Sequence, residues 1–323
     1  MGRLPHRVME ASLLVNETQP LSHSMYSRRW FLGASLLSGV LSGLVNGWGT
    51  SCALAASPDV ADSSYQSKEE AERAIPFDEL KADTRAKLLA IVDRPTLYRR
   101  LPAQVVACDH DLHLFLTRYP EVVVNIWRLM GITNMKAQRV SDFAVEGNDG
   151  AGTTSRIDLV YGKPELHLFY CEGAYEGPLF KRKTTGRSVL LLRSSFGFDL
   201  QQRPVVTDHL DVFLQVDGVG IDLVAKTLHT TVGKTIDMNF VETTKFLGRI
   251  SDSAERNGPG MQNLAAKLQE CQPPVRTEFA DICATTTSRA ADRMAALVAP
   301  VKVDSNGRIY QPTAASQPSS LRR

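Results

Sequence analysis

The 323-residue chain lacks most features that place a sequence at sight. Neither charge sign dominates, with 37 Lys and Arg against 35 Asp and Glu. A protein whose task is to hold nucleic acid carries a cationic footprint, so that class of partner is not expected. Cysteine occurs five times without a C-x-x-C, and no H-E-x-x-H is present; a ready-made zinc motif is missing. No G-x-G-x-x-G, Walker loop or G-x-S-x-G stands between a strand and a helix. Gly218-Val219-Gly220 follows a strand-like segment but lacks a third glycine. No internal repeat is visible.

What is present begins near the N-terminus. Ser27-Arg28-Arg29-Trp30-Phe31-Leu32-Gly33 resembles the twin-arginine signal consensus, an arginine pair followed by x-F-L, here Arg28, Arg29, Phe31 and Leu32. A mildly apolar stretch runs from Trp30 to Trp48, interrupted by Gly33, Gly39, Gly43 and Gly47. It ends in Ala53-Leu54-Ala55, an A-x-A site with cleavage expected before Ala56. The resemblance implies export through the twin-arginine translocation machinery, with signal peptidase removing residues 1–55. The stretch approaches the length of a membrane span, but its glycines and the A-x-A site favour release over anchoring. A lipoprotein at Cys52 would want a leucine three residues earlier, where Gly49 stands. Met25 gives a compact n-region, and translation is expected to begin there. The expected destination is the periplasm or the extracellular space.

Four arginines and two glutamates precede the cleavage site, so 33 basic and 33 acidic residues remain of the 37 and 35. The mature chain is neutral by this count. Cys108, Cys171, Cys271 and Cys283 survive cleavage. Cys271 and Cys283 are the best-placed pair for a disulfide, but four small buried apolar side chains is the preferred reading.

Residues 56–76 are polar and read as a flexible linker, and 300–323, rich in Pro, Ser and Gln, as a disordered tail. Between them, 77–299 read as one α+β domain. A helix is expected over 78–92. Asp109 or Asp111 caps a second, and Pro120 opens a third that ends at Gly131. The period then changes to two. Ile157, Leu159 and Tyr161 alternate with polar neighbours, as do Leu210, Val212, Leu214 and Val216. Five or six antiparallel strands are expected between 138 and 217. Asn148-Asp149-Gly150 and Lys183-Thr184-Thr185-Gly186 look like hairpin turns, and Gly173 to Pro178 like a turn carrying an exposed Tyr175. Helical period returns with Ile221, Val224, Leu228 and Val232. Asp237 is expected to cap a longer helix that stops at Asn257-Gly258-Pro259. Two more follow, the last over 276–298. Helices, then strands, then helices indicate α+β.

This order resembles that of the START-like, helix-grip lipid-binding superfamily over roughly residues 118–256. The resemblance implies an antiparallel sheet closed by C-terminal helices around a lipid-like small molecule. Trp127, Tyr161, Phe169, Tyr170 and Phe213 are the candidates to line such a cavity, with Tyr175 and Phe180 behind them. The reading is of a binding protein without catalysis. A competing reading is a metal-dependent enzyme. Cys108, His110 and His113 lie in the run Cys108-Asp109-His110-Asp111-Leu112-His113, whose side chains are all transition-metal ligands or neighbours of ligands. His167 or His209 would complete the set, and Cys108 beside His110 would also suit a thiol nucleophile. A helix N-terminus with capping aspartates explains the same run without any metal. His209 reads as a surface residue on the polar face of its strand. A third reading is a structural or interaction protein of the cell envelope.

Overall fold

The computed structural model describes residues 61–177, 183–217 and 232–298, together with the two-residue strands Lys302–Val303 and Ile309–Tyr310, which pair with each other. The signal residues Arg28, Arg29, Phe31, Leu32, Ala53 and Ala55 lie outside the described residues, as do Phe180, Ile221, Val224, Leu228 and most of the tail.

The chain folds as α+β, with an eight-stranded antiparallel sheet between helices. Six strands run as a meander: β3 (Lys136–Ser141), β4 (Ala144–Asn148), β5 (Thr153–Lys163), β6 (Leu166–Tyr175), β7 (Thr184–Phe198) and β8 (Pro204–Val216). Two more, β1 (Leu97–Arg100) and β2 (Gln104–Ala107), share the free edge of β8, pairing with residues 211–214 and 205–208. The expected five or six strands thus become eight. The additional pair is too short to show alternation, and Pro102 interrupts what is one edge lane.

Each face of the sheet is covered. On one lie α1 (Tyr65–Ala74) and α2 (Ala82–Val92). Their Ala71, Leu88, Ile91 and Val92 pack on Leu168, Val189, Leu191 and Phe213. On the other lie α3 (His110–Arg118), α4 (Pro120–Leu129) and α5 (Gly233–Arg256), backed by α6 (Gly258–Lys267) and α7 (Pro273–Val298). There Leu112, Phe115, Trp127, Phe240 and Leu247 meet Cys171, Leu190, Leu210 and Val212. Strand side chains alternate between faces, so the two clusters draw on alternate residues of β6, β7 and β8. Gly248 of α5 lies hard against β2: a Cβ there would overlap the Val106 side chain.

Residues 65–74 correct the expectation of a flexible linker. Their composition is polar, yet Ser64 caps the helix by accepting from Ser67 N, and Ala71 is wholly buried. Arg100 of β1 ties the helix down, donating to Glu70 Oε2 at 2.9 Å and to the Ser67 carbonyl at 3.0 Å. These partners are distant in sequence, so composition does not reveal them. Asp237 does not cap a helix; it lies inside α5 and accepts from Arg99. Thr184 to Gly186 are strand, and Tyr175 is buried at 2% exposure. The Asn148–Gly150 turn forms as expected, with Gly150 at φ +68° and its N–H donated to Asn148 Oδ1. All four described cysteines are free and buried. Among the described residues no helix is long and apolar enough to cross a membrane.

Candidate functional site

Between the sheet and helices α3, α4 and α5 lies a cavity of about 130 Å³. The sheet contributes Ile157, Phe169, Leu190, Leu192 and Leu210; the helices contribute Leu116, Val123, Trp127, Phe240 and Leu247. Thr117, Pro120, Phe169, Leu192 and Thr243 are half-buried and form its rim. The wall is almost wholly apolar, apart from His113, Asp208 and the threonines.

The polar group follows from local rules. Asp109 caps α3, its Oδ1 accepting from Asp111 N at 3.1 Å and Leu112 N at 3.2 Å. His113 falls one turn later and is carried into the helix–sheet layer, where it is 1% exposed. Asp208 shares parity with Leu210 and Val212 on β8, so it points the same way. Register places Ser194 of β7 directly opposite Asp208. Ser194 Oγ donates to Asp208 Oδ1 at 2.6 Å, and His113 Nε2 lies 2.8 Å from Asp208 Oδ2. A carboxylate only accepts, so His113 Nε2 carries the proton. His113 Nδ1 is buried and has no partner.

His167 is a second buried imidazole, on β6. Arg118 Nε donates to its Nε2 at 3.1 Å. Its pKa is pushed down to about 4, first by burial and then by the Arg118 charge, so the ring is neutral near pH 7. Its Nδ1 is also buried without a partner.

Of the five aromatic residues expected to line a cavity, Trp127 and Phe169 do so. Tyr161, Tyr170 and Phe213 lie on the opposite face, in or against the α1–α2 cluster. Tyr170 follows Phe169 on one strand and must point the other way. Tyr161 is turned by a bulge between Leu159 and Tyr161 that pairs it with Leu168. Tyr161 OH donates to Glu79, Tyr170 OH to Glu172, and Phe213 packs on Tyr98 with ring centroids 5.0 Å apart.

The Cys108–His113 run is not assembled as a metal centre. Cys108 Sγ approaches the Leu247 carbonyl at 3.9 Å, and burial pushes its thiol pKa up, away from nucleophile chemistry. His110 Nε2 faces the Gly197 carbonyl at 3.1 Å, with the ring against Phe196 and Phe198. His113 is held by Asp208. Asp109 and Asp111 take the helix N-terminus and Arg289. Among the described residues no group of three or more His, Cys, Asp and Glu is arranged to hold a metal ion. The expected ligands point to separate partners because each is spent on capping or packing. His209 is half-buried on the α1–α2 side of β8.

Asp208 and Ser194 are the site residues that sequence reading passed over. The signal was parity: Asp208 interrupts the apolar series that continues through Leu210, Val212 and Leu214.

No family model matches the chain, and no curated protein matches it. Among solved structures, a conserved protein from Geobacillus kaustophilus is similar at 10% identity, over 44% of this chain and 93% of that one, with a TM-score of 0.27. That likeness is too distant to bear on fold or function.

Proposed function

We propose that this chain is an exported binding protein that holds a small apolar or amphipathic molecule without transforming it. The observation that carries the reading is the apolar cavity between the sheet and α3, α4 and α5, whose polar lining is His113, Asp208, backed by Ser194, and three threonines. Ligand sites are typically concave and apolar, with a few placed polar groups that fix orientation. The noncatalytic reading is supported by the order of that group. Ser194 bonds to Asp208 rather than to His113, so the serine–histidine contact that activates a hydroxyl nucleophile is not formed. Twin-arginine export to the periplasm or beyond is the other part of the proposal, supported by the motif at Arg28 and Arg29. Helix-grip character is its fold counterpart: α5 lies along the sheet and supplies Phe240, Thr244 and Leu247 to the cavity wall.

The experiment is to purify the protein after native export and analyse an organic extract by mass spectrometry. One apolar molecule per chain, absent from a Thr243→Trp variant that plugs the rim, is the expected result. An extract with no such molecule, from a protein that also takes up no toluene, contradicts the reading.

A further inference from the structure

The polar groups deep in the cavity wall bond within the protein. His113 and Asp208 hold each other, and the Thr244 hydroxyl donates to the Phe240 carbonyl at 2.9 Å. The deep end therefore favours carbon. The rim differs, because a cation stands at it. Arg118 follows Thr117 and precedes Pro120 by two, and both of those line the rim. Its Nε donates to His167 Nε2 at 3.1 Å. His167 lies opposite Leu192 in the β6–β7 register, and its ring stacks on that of Phe169 with centroids 6.3 Å apart. Arg118 thus reaches from the helical side of the rim, Thr117 and Pro120, to its sheet side, Phe169 and Leu192.

The half-buried Arg118 carries a charge that the protein does not pair. Among the described residues it forms no ion pair, and the nearby carboxylates are engaged elsewhere. Asp111 pairs with Arg289, Glu121 with Arg139, and Glu278 bonds to Tyr119. The partner that Arg118 does have, His167, is kept neutral by burial and by the Arg118 charge itself. A guanidinium presents its N–H donors as a planar fork that matches a carboxylate in bidentate geometry. A cation drawn partly out of water without a counter-ion is costly, so the rim is a place where an anion is stabilising.

We propose that the ligand is a short aliphatic carboxylate, with its tail among Trp127, Phe169, Leu190, Leu210 and Phe240 and its carboxylate paired with Arg118 at the rim. The cavity volume of about 130 Å³ is close to the roughly 150 Å³ of an engineered apolar cavity that holds benzene, which corresponds to a tail of about six carbons. His167 acts as a positioning residue, since accepting from Nε fixes the guanidinium at the rim. This assignment rests on the binding reading above and names the chemical class of the ligand.

The test uses the wild-type chain labelled with 15N at arginine, titrated at pH 7 separately with heptanoate and with heptanol. The two share a tail and differ in the charge of the head. Heptanoate is expected to bind about tenfold more tightly and to shift the Arg118 guanidinium resonances on saturation. In Arg118→Gln that preference is expected to vanish, with heptanol affinity unchanged. Heptanol binding to wild type as tightly as heptanoate, or more so, overturns the carboxylate assignment and leaves the binding reading standing. A heptanoate preference that leaves the Arg118 resonances unmoved, or that survives in Arg118→Gln, also overturns it, because the head then sits elsewhere. Saturable uptake of neither compound overturns both.

Discussion

Strand β8 buries two aspartates three residues apart, on opposite faces of the sheet, and their surroundings differ. Asp211 is wholly buried and accepts from Tyr98 OH at 2.7 Å, Arg100 Nε at 2.8 Å and Arg193 Nη2 at 2.8 Å. Through Arg100 it also fixes α1 to the sheet. Both of its carboxylate oxygens are thus engaged, one by two donors and one by a third. Asp208 accepts from Ser194 and His113, and with His113 it lines the apolar cavity. The Asp211 cluster ties β1 and α1 to the sheet and serves the fold. The Asp208 group instead stands in the wall of the apolar cavity. The two faces of one sheet thus divide the labour, the α1–α2 side holding the structure and the α3–α4–α5 side offering space.

The comparison breaks most readily at Asp211. Replacing it with alanine leaves two arginines and a tyrosine hydroxyl without their shared acceptor. Removal of one partner from a buried ion pair costs about 3–5 kcal/mol. Glu70 still pairs with Arg100, so a loss near the lower end, about 3 kcal/mol, is expected in urea unfolding, with cavity binding of toluene retained in the folded protein.

The next effect is a pH dependence from His167. Burial lowers its pKa to about 4 in the folded chain, against about 6.5 when unfolded. The neutral form is the one the fold favours, so its contribution is complete above pH 6.5 and is lost as pH falls toward 4. About 3 kcal/mol of unfolding free energy is expected to disappear over that window, and His167→Leu should flatten the slope. An unchanged slope in the variant would place the titration elsewhere.

A smaller change is expected from Asp208→Asn, which keeps shape and hydrogen bonding but loses the charge. Stability should fall by about 1 kcal/mol. An unchanged midpoint in urea unfolding would show that the Asp208 charge does not hold His113 in the fold. The smallest effect belongs to Thr243→Trp at the cavity rim. Stability is expected to move by no more than about 0.5 kcal/mol in thermal unfolding, while toluene uptake is lost.

Much of this division was legible in the sequence. Period two in residues 204–216 marked β8, and the same rule puts Asp208 with Leu210 and Asp211 with Phe213. That both faces are covered was harder to see, because α1 looks like a polar tether and is fixed only by contacts with Arg100. Phe169 and Tyr170 could not both face one cavity, as neighbours on a strand, whereas the displacement of Tyr161 depends on a bulge that no residue pattern announces. His113 stood out for its chemistry, but its partners come from β7 and β8, and only the pairing register brings them together.

The most direct test is a toluene titration of protein with labelled leucine methyls. Saturable shifts are expected for Leu116, Leu190, Leu210 and Leu247, which line the cavity, while Leu88, Leu168 and Leu191, packed on the other face, stay in place. Shifts on the α1–α2 side, or no saturable shift at any leucine, would contradict the account.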